Sequence, residues 1–151
     1  MKTKTLKIEV PKGYEIDKEK STFENIVFKK VDDVVIKWNK NYNGVEIKAG
    51  GEHFVISADP SYYMSWVEAE RFYDERCWDL PIVKQLQVVY KYFDKINEVI
   101  EDNNGFILYK SNYWSIEERS NSFAMIIYMY NGNINDMCKC NYNFVRAVST
   151  L

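Results

Sequence analysis

One histidine, His53, and three cysteines, Cys77, Cys138 and Cys140, are the side chains of this chain best suited to nucleophilic, acid–base or metal chemistry. His53 opens an apolar run, His53-Phe54-Val55-Ile56, with no cysteine beside it, which predicts a structural or surface role. Cys138-Lys139-Cys140 offers two soft ligands, but structural zinc sites take four, and their paired cysteines are usually two to four residues apart. Only Cys77 remains as a third thiol, so no metal and no cofactor are expected. An odd number of cysteines without an export signal argues against a disulfide framework, and free thiols are expected instead. No base stands beside a reactive nucleophile, so no catalytic residue is assigned and the chain is read as a non-enzyme.

The elements that would position these residues belong to an ordinary globular chain. At 151 residues, 46% hydrophobic and 28% charged, it has the length for one domain with its own core. A formal net charge of -2 gives no general attraction to nucleic acid or to anionic membranes. The segment from Met1 to Lys12 interleaves single apolar residues with charges and lacks the apolar centre of a signal peptide. No later stretch approaches the roughly twenty apolar residues that span a bilayer. A cytoplasmic location as synthesised is expected, with virion association as a further setting.

Leu6, Ile8 and Val10 alternate with charged residues, as do Ile26 and Phe28, and Val34-Val35-Ile36 is a compact apolar run. Residues 1–43 are therefore read as an N-terminal β extension, and residues 44–151 as the core of the same domain. Val45-Glu46-Ile47, Gly50-Gly51 and His53 to Ile56 predict a β-hairpin. Ser65-Trp66-Val67-Glu68 has the form of a capping box, which starts a helix whose Trp66, Ala69 and Phe72 or Tyr73 share a face. A second helix should follow Pro81, with Val83, Leu86, Val89 or Tyr90, Phe93, Ile96 and Ile100 on one stripe out to Asn103-Asn104-Gly105. Strands return after Gly105, with Phe123 to Tyr130 the longest apolar run and a tight turn at Asn131-Gly132. The order is α+β, with two helices packed on antiparallel sheets.

Three islands, Trp78-Asp79-Leu80-Pro81, Tyr113-Trp114-Ser115 and Val145-Arg146-Ala147-Val148, occur in the order found in the Lcl C-terminal domain family, which the chain resembles from about Gly44 to Leu151. The resemblance implies a C-type-lectin-like fold. Asp79 replaces the family's usual arginine, and Ile82 and Gln85 replace a capping threonine and glutamate, a loss of about 1 kcal/mol. Trp78 is expected in the core, Tyr113-Trp114-Ser115 in a core strand, and Arg146 buried against a carboxylate. The calcium-holding triplets of sugar-binding C-type lectins are absent from the sequence, although Asn133-Ile134-Asn135-Asp136 offers oxygen ligands. Formylglycine-generating enzymes share the broad architecture, but their reactive cysteines are spaced more widely than Cys138 and Cys140.

Half of the asparagines of the chain lie after Ser111, together with Tyr113, Tyr128, Tyr130 and Tyr142. Tyrosine and asparagine are the mixture that binding loops use; asparagines also simply make turns. The tail is similar, too, to the variable proteins of diversity-generating retroelements, which diversify asparagine-coding positions in this part of the same fold. The expected function is a non-catalytic binding module presenting Asn121, Tyr130, Asn133, Asn135, Asn141 and Tyr142 to a protein or glycan ligand. The alternatives are a structural or accessory protein of a phage or mobile element, and an enzyme of the formylglycine-generating type.

Overall fold

The computed structural model describes residues 8–22, 25–30, 33–74 and 78–151. Its contacts gather into two units, residues 1–33 and 34–151. In the first, β1 (Tyr14–Ile16) pairs antiparallel with β2 (Phe28–Lys30). Ile8 and Val10, expected in a strand, lie in chain without regular structure, and Leu6 falls outside the described residues. Alternation alone supplies no partner: β1 and β2 pair with one another, and Ile8 and Val10 stay exposed.

In the second unit, β3 (Val35–Asn39), β4 (Gly44–Ala49), β5 (Glu52–Ser57) and β11 (Val148–Thr150) form a four-stranded antiparallel sheet in the order β11-β5-β4-β3. The expected hairpin is β4–β5, turning at Gly50 and Gly51, both at positive φ. A five-stranded sheet runs β6 (Tyr62–Ser65), β10 (Tyr142–Val145), β7 (Asn112–Glu118), β8 (Phe123–Tyr128), β9 (Ile134–Cys138). All its pairs are antiparallel except β10 with β7.

Helix α1 (Trp66–Asp74) starts at the predicted capping box: Glu68 N–H donates to Ser65 Oγ (3.3 Å), and Ser65 N–H donates to Glu68 Oε2 (3.4 Å). The second expected helix is two, α2 (Val83–Lys91) and α3 (Phe93–Asp102), so the described residues hold three helices rather than two. The break is at Tyr92, with φ -112° and ψ 26°. The apolar stripe continues across it, but the break lets α2 lie on β5, β7 and β8 while α3 turns onto β3 and β4. The weak cap at Ile82 is supplemented from within the helix and from β7. Gln85 Oε1 accepts from Ile82 N–H (3.0 Å), and Glu117 Oε2 on β7 accepts from Val83 N–H (3.1 Å).

The five-stranded sheet is covered on both faces, because successive side chains of a strand point to opposite sides. Tyr113 and Ile127 enter one core with Val45, Phe54, Leu86 and Ile96; Trp114, Ala124 and Ile126 enter another with Trp66, Ala69 and Leu80. That double coverage explains why Phe123 to Tyr128 reads as a continuous apolar run. It leaves the turns, edges and strand ends of this sheet as its open positions. Among the described residues, no helix is long and apolar enough to cross a membrane.

Candidate binding surface

The three sequence islands converge. Asp79 and Val148 exchange backbone hydrogen bonds, each 2.9 Å, and Ile116 N–H, next after Tyr113-Trp114-Ser115, donates to Pro81 O (2.9 Å). Both buried indoles have carbonyl partners: Trp66 Nε1 donates to Ser115 O (2.9 Å) and Trp114 Nε1 to Met64 O (3.0 Å). Trp78 is half-buried against the second core, edge-on to Tyr42 at 6.1 Å.

Arg146 is buried, at 1% exposure, but its hydrogen-bonding partners are not carboxylates. Nη1 donates to Ser57 O (2.9 Å) and Phe106 O (2.7 Å), Nη2 to Ser61 Oγ (2.9 Å) and Ile107 O (2.9 Å), and Nε to Ser61 Oγ (3.1 Å). This corrects the expected carboxylate pairing. The planar fork reaches four acceptors at once, on residues 57, 61, 106 and 107, more than the two oxygens of a single carboxylate could supply. Burial draws the guanidinium below its ordinary pKa, opposed by Tyr113, Tyr73 and Asp59 nearby.

The chief beneficiary is an irregular segment, residues 105–110, whose backbone groups find partners outside any ladder. Phe106 N–H donates to Ala58 O (2.9 Å). Asn97 on α3 closes a two-point clasp on Leu108, accepting from its N–H (2.8 Å) and donating to its carbonyl (3.1 Å). Tyr109 N–H donates to Tyr113 Oη (2.9 Å), which lies 3.0 Å from Ser61 Oγ and so joins the arginine network. Burial holds the Tyr113 phenol above its ordinary pKa. Satisfying the backbone this way fixes a loop that would otherwise need water or a ladder.

What that scaffold holds outward is aromatic. Tyr63 on edge strand β6 stands opposite Phe144 on β10, and Phe144 stands opposite buried Tyr113. The ring centres run Tyr142–Tyr63 5.8 Å, Tyr63–Phe144 5.1 Å and Phe144–Tyr109 5.3 Å. Tyr63, Tyr109 and Tyr142 are 60%, 51% and 48% exposed, and Phe106 and Ile107 beside Tyr109 in sequence are exposed as well. Tyr142 Oη donates to Glu68 Oε1 (3.1 Å), and that acceptor keeps the phenol proton bound above the usual pKa. A row of rings that begins in the core and ends in solvent is a surface whose side chains are already held in place.

The six sequence-predicted contact residues are all exposed. They fall at opposite ends of the β8–β9 hairpin. Asn121 and Tyr142 line one open depression, with Asn141 beside it in the turn from β9 to β10. Tyr130 lines another, with Tyr90 and Lys110, and its ring lies 5.6 Å from that of Tyr128. Asn133 sits in the turn between β8 and β9, and Asn135 in β9. Two asparagines here serve the backbone: Asn131 Oδ1 accepts from Asn133 N–H (2.9 Å) and Asn135 Oδ1 from Asp136 N–H (2.8 Å). Of the six, Tyr142 alone belongs to the aromatic row. Sequence reasoning missed Tyr63 and Tyr109; the run Tyr62-Tyr63-Met64 was the available signal for a strand before the helix.

Cys138 and Cys140 form a disulfide, with Cα atoms 5.2 Å apart, which corrects the expectation of free thiols at these two positions. The turn into β10 folds the pair together, with Asn141 N–H donating to Cys138 O (2.9 Å). Cys77 lies outside the described residues. His53 Nε2 lies 3.2 Å from Glu46 Oε2 across β4–β5, and Glu46 also accepts from Asn39 Nδ2 (2.9 Å), a cross-strand polar cluster. Among the described residues, no three His, Cys, Asp or Glu side chains gather as metal ligands would. Compared with known proteins, the chain matches no family model and no curated sequence.

Proposed function

We propose that this protein is a non-catalytic binding module whose contact surface is the aromatic row Tyr142, Tyr63, Phe144 and Tyr109, and whose ligand is another protein. The carrying observation is the row itself: four rings in contact, three of them about half exposed or more, rooted in the core through Phe144 and Tyr113. Exposed tyrosines anchored on a rigid frame are the residues that concentrate binding energy at protein interfaces.

The choice of protein over glycan follows from ring inclination. Neighbouring rings are tilted by 65°, 53° and 47°, which makes a ridged surface for interdigitating side chains rather than one flat platform for a sugar ring. Glu68 and the edge of β6 supply a polar rim. The meeting of the three islands supports a C-type-lectin-like reading of the fold. Such a module would fit an Lcl-type adhesin domain or a variable protein of a diversity-generating retroelement.

The test is a combined array of host-surface proteins and glycans, probed with the native chain and with a Tyr63→Ala/Tyr109→Ala variant. The expected result is a protein ligand bound by the native chain and lost by the variant. Ligands retained equally by both, or ligands that are glycans only, would overturn the proposal.

A further inference from the structure

The disulfide between Cys138 and Cys140 encloses a single residue, Lys139. Cross-links stabilise mainly by restricting the unfolded chain, an effect that grows with the logarithm of the loop and is smallest here, so stability does not account for this one. Its position is accessible. Cys140 is exposed and Cys138 half-buried, and both line an open depression of about 480 Å³ with Ser65, Glu68, Asn121 and Tyr142.

One contact polarises the pair, and a second set anchors the residue between them. Cys140 N–H is directed at Cys138 Sγ, 3.4 Å away, and donation of that kind favours a sulfur carrying negative charge. Lys139 ties the turn to its neighbours: its N–H donates to Ser122 O (2.9 Å), its carbonyl accepts from Trp66 N–H (3.1 Å), and Nζ lies 2.9 Å from Glu118 Oε2 and 4.4 Å from the Trp66 ring centre. The disulfide therefore fixes the residue that fastens the β9–β10 turn to α1 and to the β7–β8 hairpin.

We infer that Cys138–Cys140 is a thiol–disulfide exchange site that accepts a thiolate from a low-molecular-mass thiol through this depression. The thiolate attacks exposed Cys140 Sγ and forms a mixed disulfide there. The Cys138–Cys140 bond breaks, and its electron pair leaves on Cys138 Sγ, which receives the Cys140 N–H. A second thiolate attacks the external sulfur of the mixed disulfide and releases Cys140 as thiolate together with the external disulfide. Two electrons pass from two small thiols to the cysteine pair, and each cysteine takes a proton from solvent. The opened ring no longer fixes Lys139, and its links to Ser122 and Trp66 loosen.

The test uses the full chain under native conditions, with graded reduced glutathione, acid quench or iodoacetamide alkylation, and peptide mass spectrometry that resolves Cys77 from the pair. Without glutathione, Cys138 and Cys140 resist alkylation. With it, both become alkylated together, a Cys140–glutathione adduct is caught in quenched samples, and Cys138→Ser treated with oxidised glutathione carries the same adduct. Hydrogen exchange at the Lys139 and Trp66 amides should rise about tenfold on reduction while Val55 in the central strand stays protected. Alkylation before any thiol is added, protection that persists until denaturant is added, glutathione found on Cys138 alone, or unchanged exchange at Lys139 and Trp66 would overturn the inference. None of these outcomes involves the Tyr63–Tyr109 surface, so the site stands or falls independently of the proposed ligand.

Discussion

Replacing Arg146 with methionine should remove the scaffold beneath the aromatic row while keeping much of the buried volume. All five guanidinium N–H bonds disappear, and the four acceptors divide by surroundings. Phe106 and Ile107 are exposed residues whose carbonyls can turn to water; Ser57, at 3% exposure, and half-buried Ser61 cannot do so readily. Ser61 Oγ keeps the Tyr113 hydroxyl 3.0 Å away, so one buried acceptor, Ser57 O, is left unpaired, at about 1–3 kcal/mol. Relief of guanidinium desolvation returns part of that, which leaves a net loss of about 1–2 kcal/mol. Arg146→Lys keeps the charge but has three donors and no planar fork, and should lose about 1 kcal/mol. Urea denaturation followed by tryptophan fluorescence reads the loss, and hydrogen exchange at Phe106, Leu108 and Tyr109 should accelerate with it. An Arg146→Met chain within about 0.5 kcal/mol of the native one, with those amides still protected, would refute the reasoning.

Asn97→Ala removes both arms of the clasp on Leu108 and should cost about 1–3 kcal/mol in the same assay, with faster exchange at Leu108; a neutral effect would show that the clasp is redundant. Gly132→Ala places a Cβ at a φ of +77° and 2.5 Å from Tyr90 Cε1, so it should destabilise by about 1–2 kcal/mol, partly recovered when Tyr90→Ala is added. The Glu46 carboxylate is held below its ordinary value of 4.5, first by the hydrogen bond from His53 and then by that from Asn39. A depressed carboxylate contributes stability that is present above the unfolded value and lost as pH falls through the folded one. The stability gap between the native chain and Glu46→Gln should therefore narrow as pH drops below about 4.5; a gap that stays constant with pH would contradict this assignment.

The residues that announced local structure did so because the signal and its partner lie close in sequence. Ser65 and Glu68 form their box three residues apart, and Gly50-Gly51 turns between two strands that pair with each other. The Tyr92 break left no mark because Val89, Phe93 and Ile96 keep helical spacing through it, and only the folded chain shows α2 on β5, β7 and β8 and α3 on β3 and β4. Arg146 was legible as buried, but its partners come from residues 57, 61, 106 and 107, which only the folded chain gathers. The aromatic row was hidden for the same reason: Tyr63, Tyr109 and Tyr142 are far apart in sequence and meet through Phe144 and the pairing of β6 with β10. The tail's asparagines were conspicuous by count, yet Asn131 and Asn135 spend their side chains on local backbone.

The most direct measurement is the affinity of Tyr63→Ala for a protein ligand found with the native chain, taken by titration calorimetry beside a thermal melt. Tyr63 is the most exposed ring of the row, and losing its cross-strand contact with Phe144 should cost about 1 kcal/mol of stability or less. Affinity should fall by about thirtyfold or more, the loss of an interface anchor of about 2 kcal/mol. An unchanged affinity in a folded Tyr63→Ala chain would place the ligand elsewhere on the molecule and contradict the assignment of this surface.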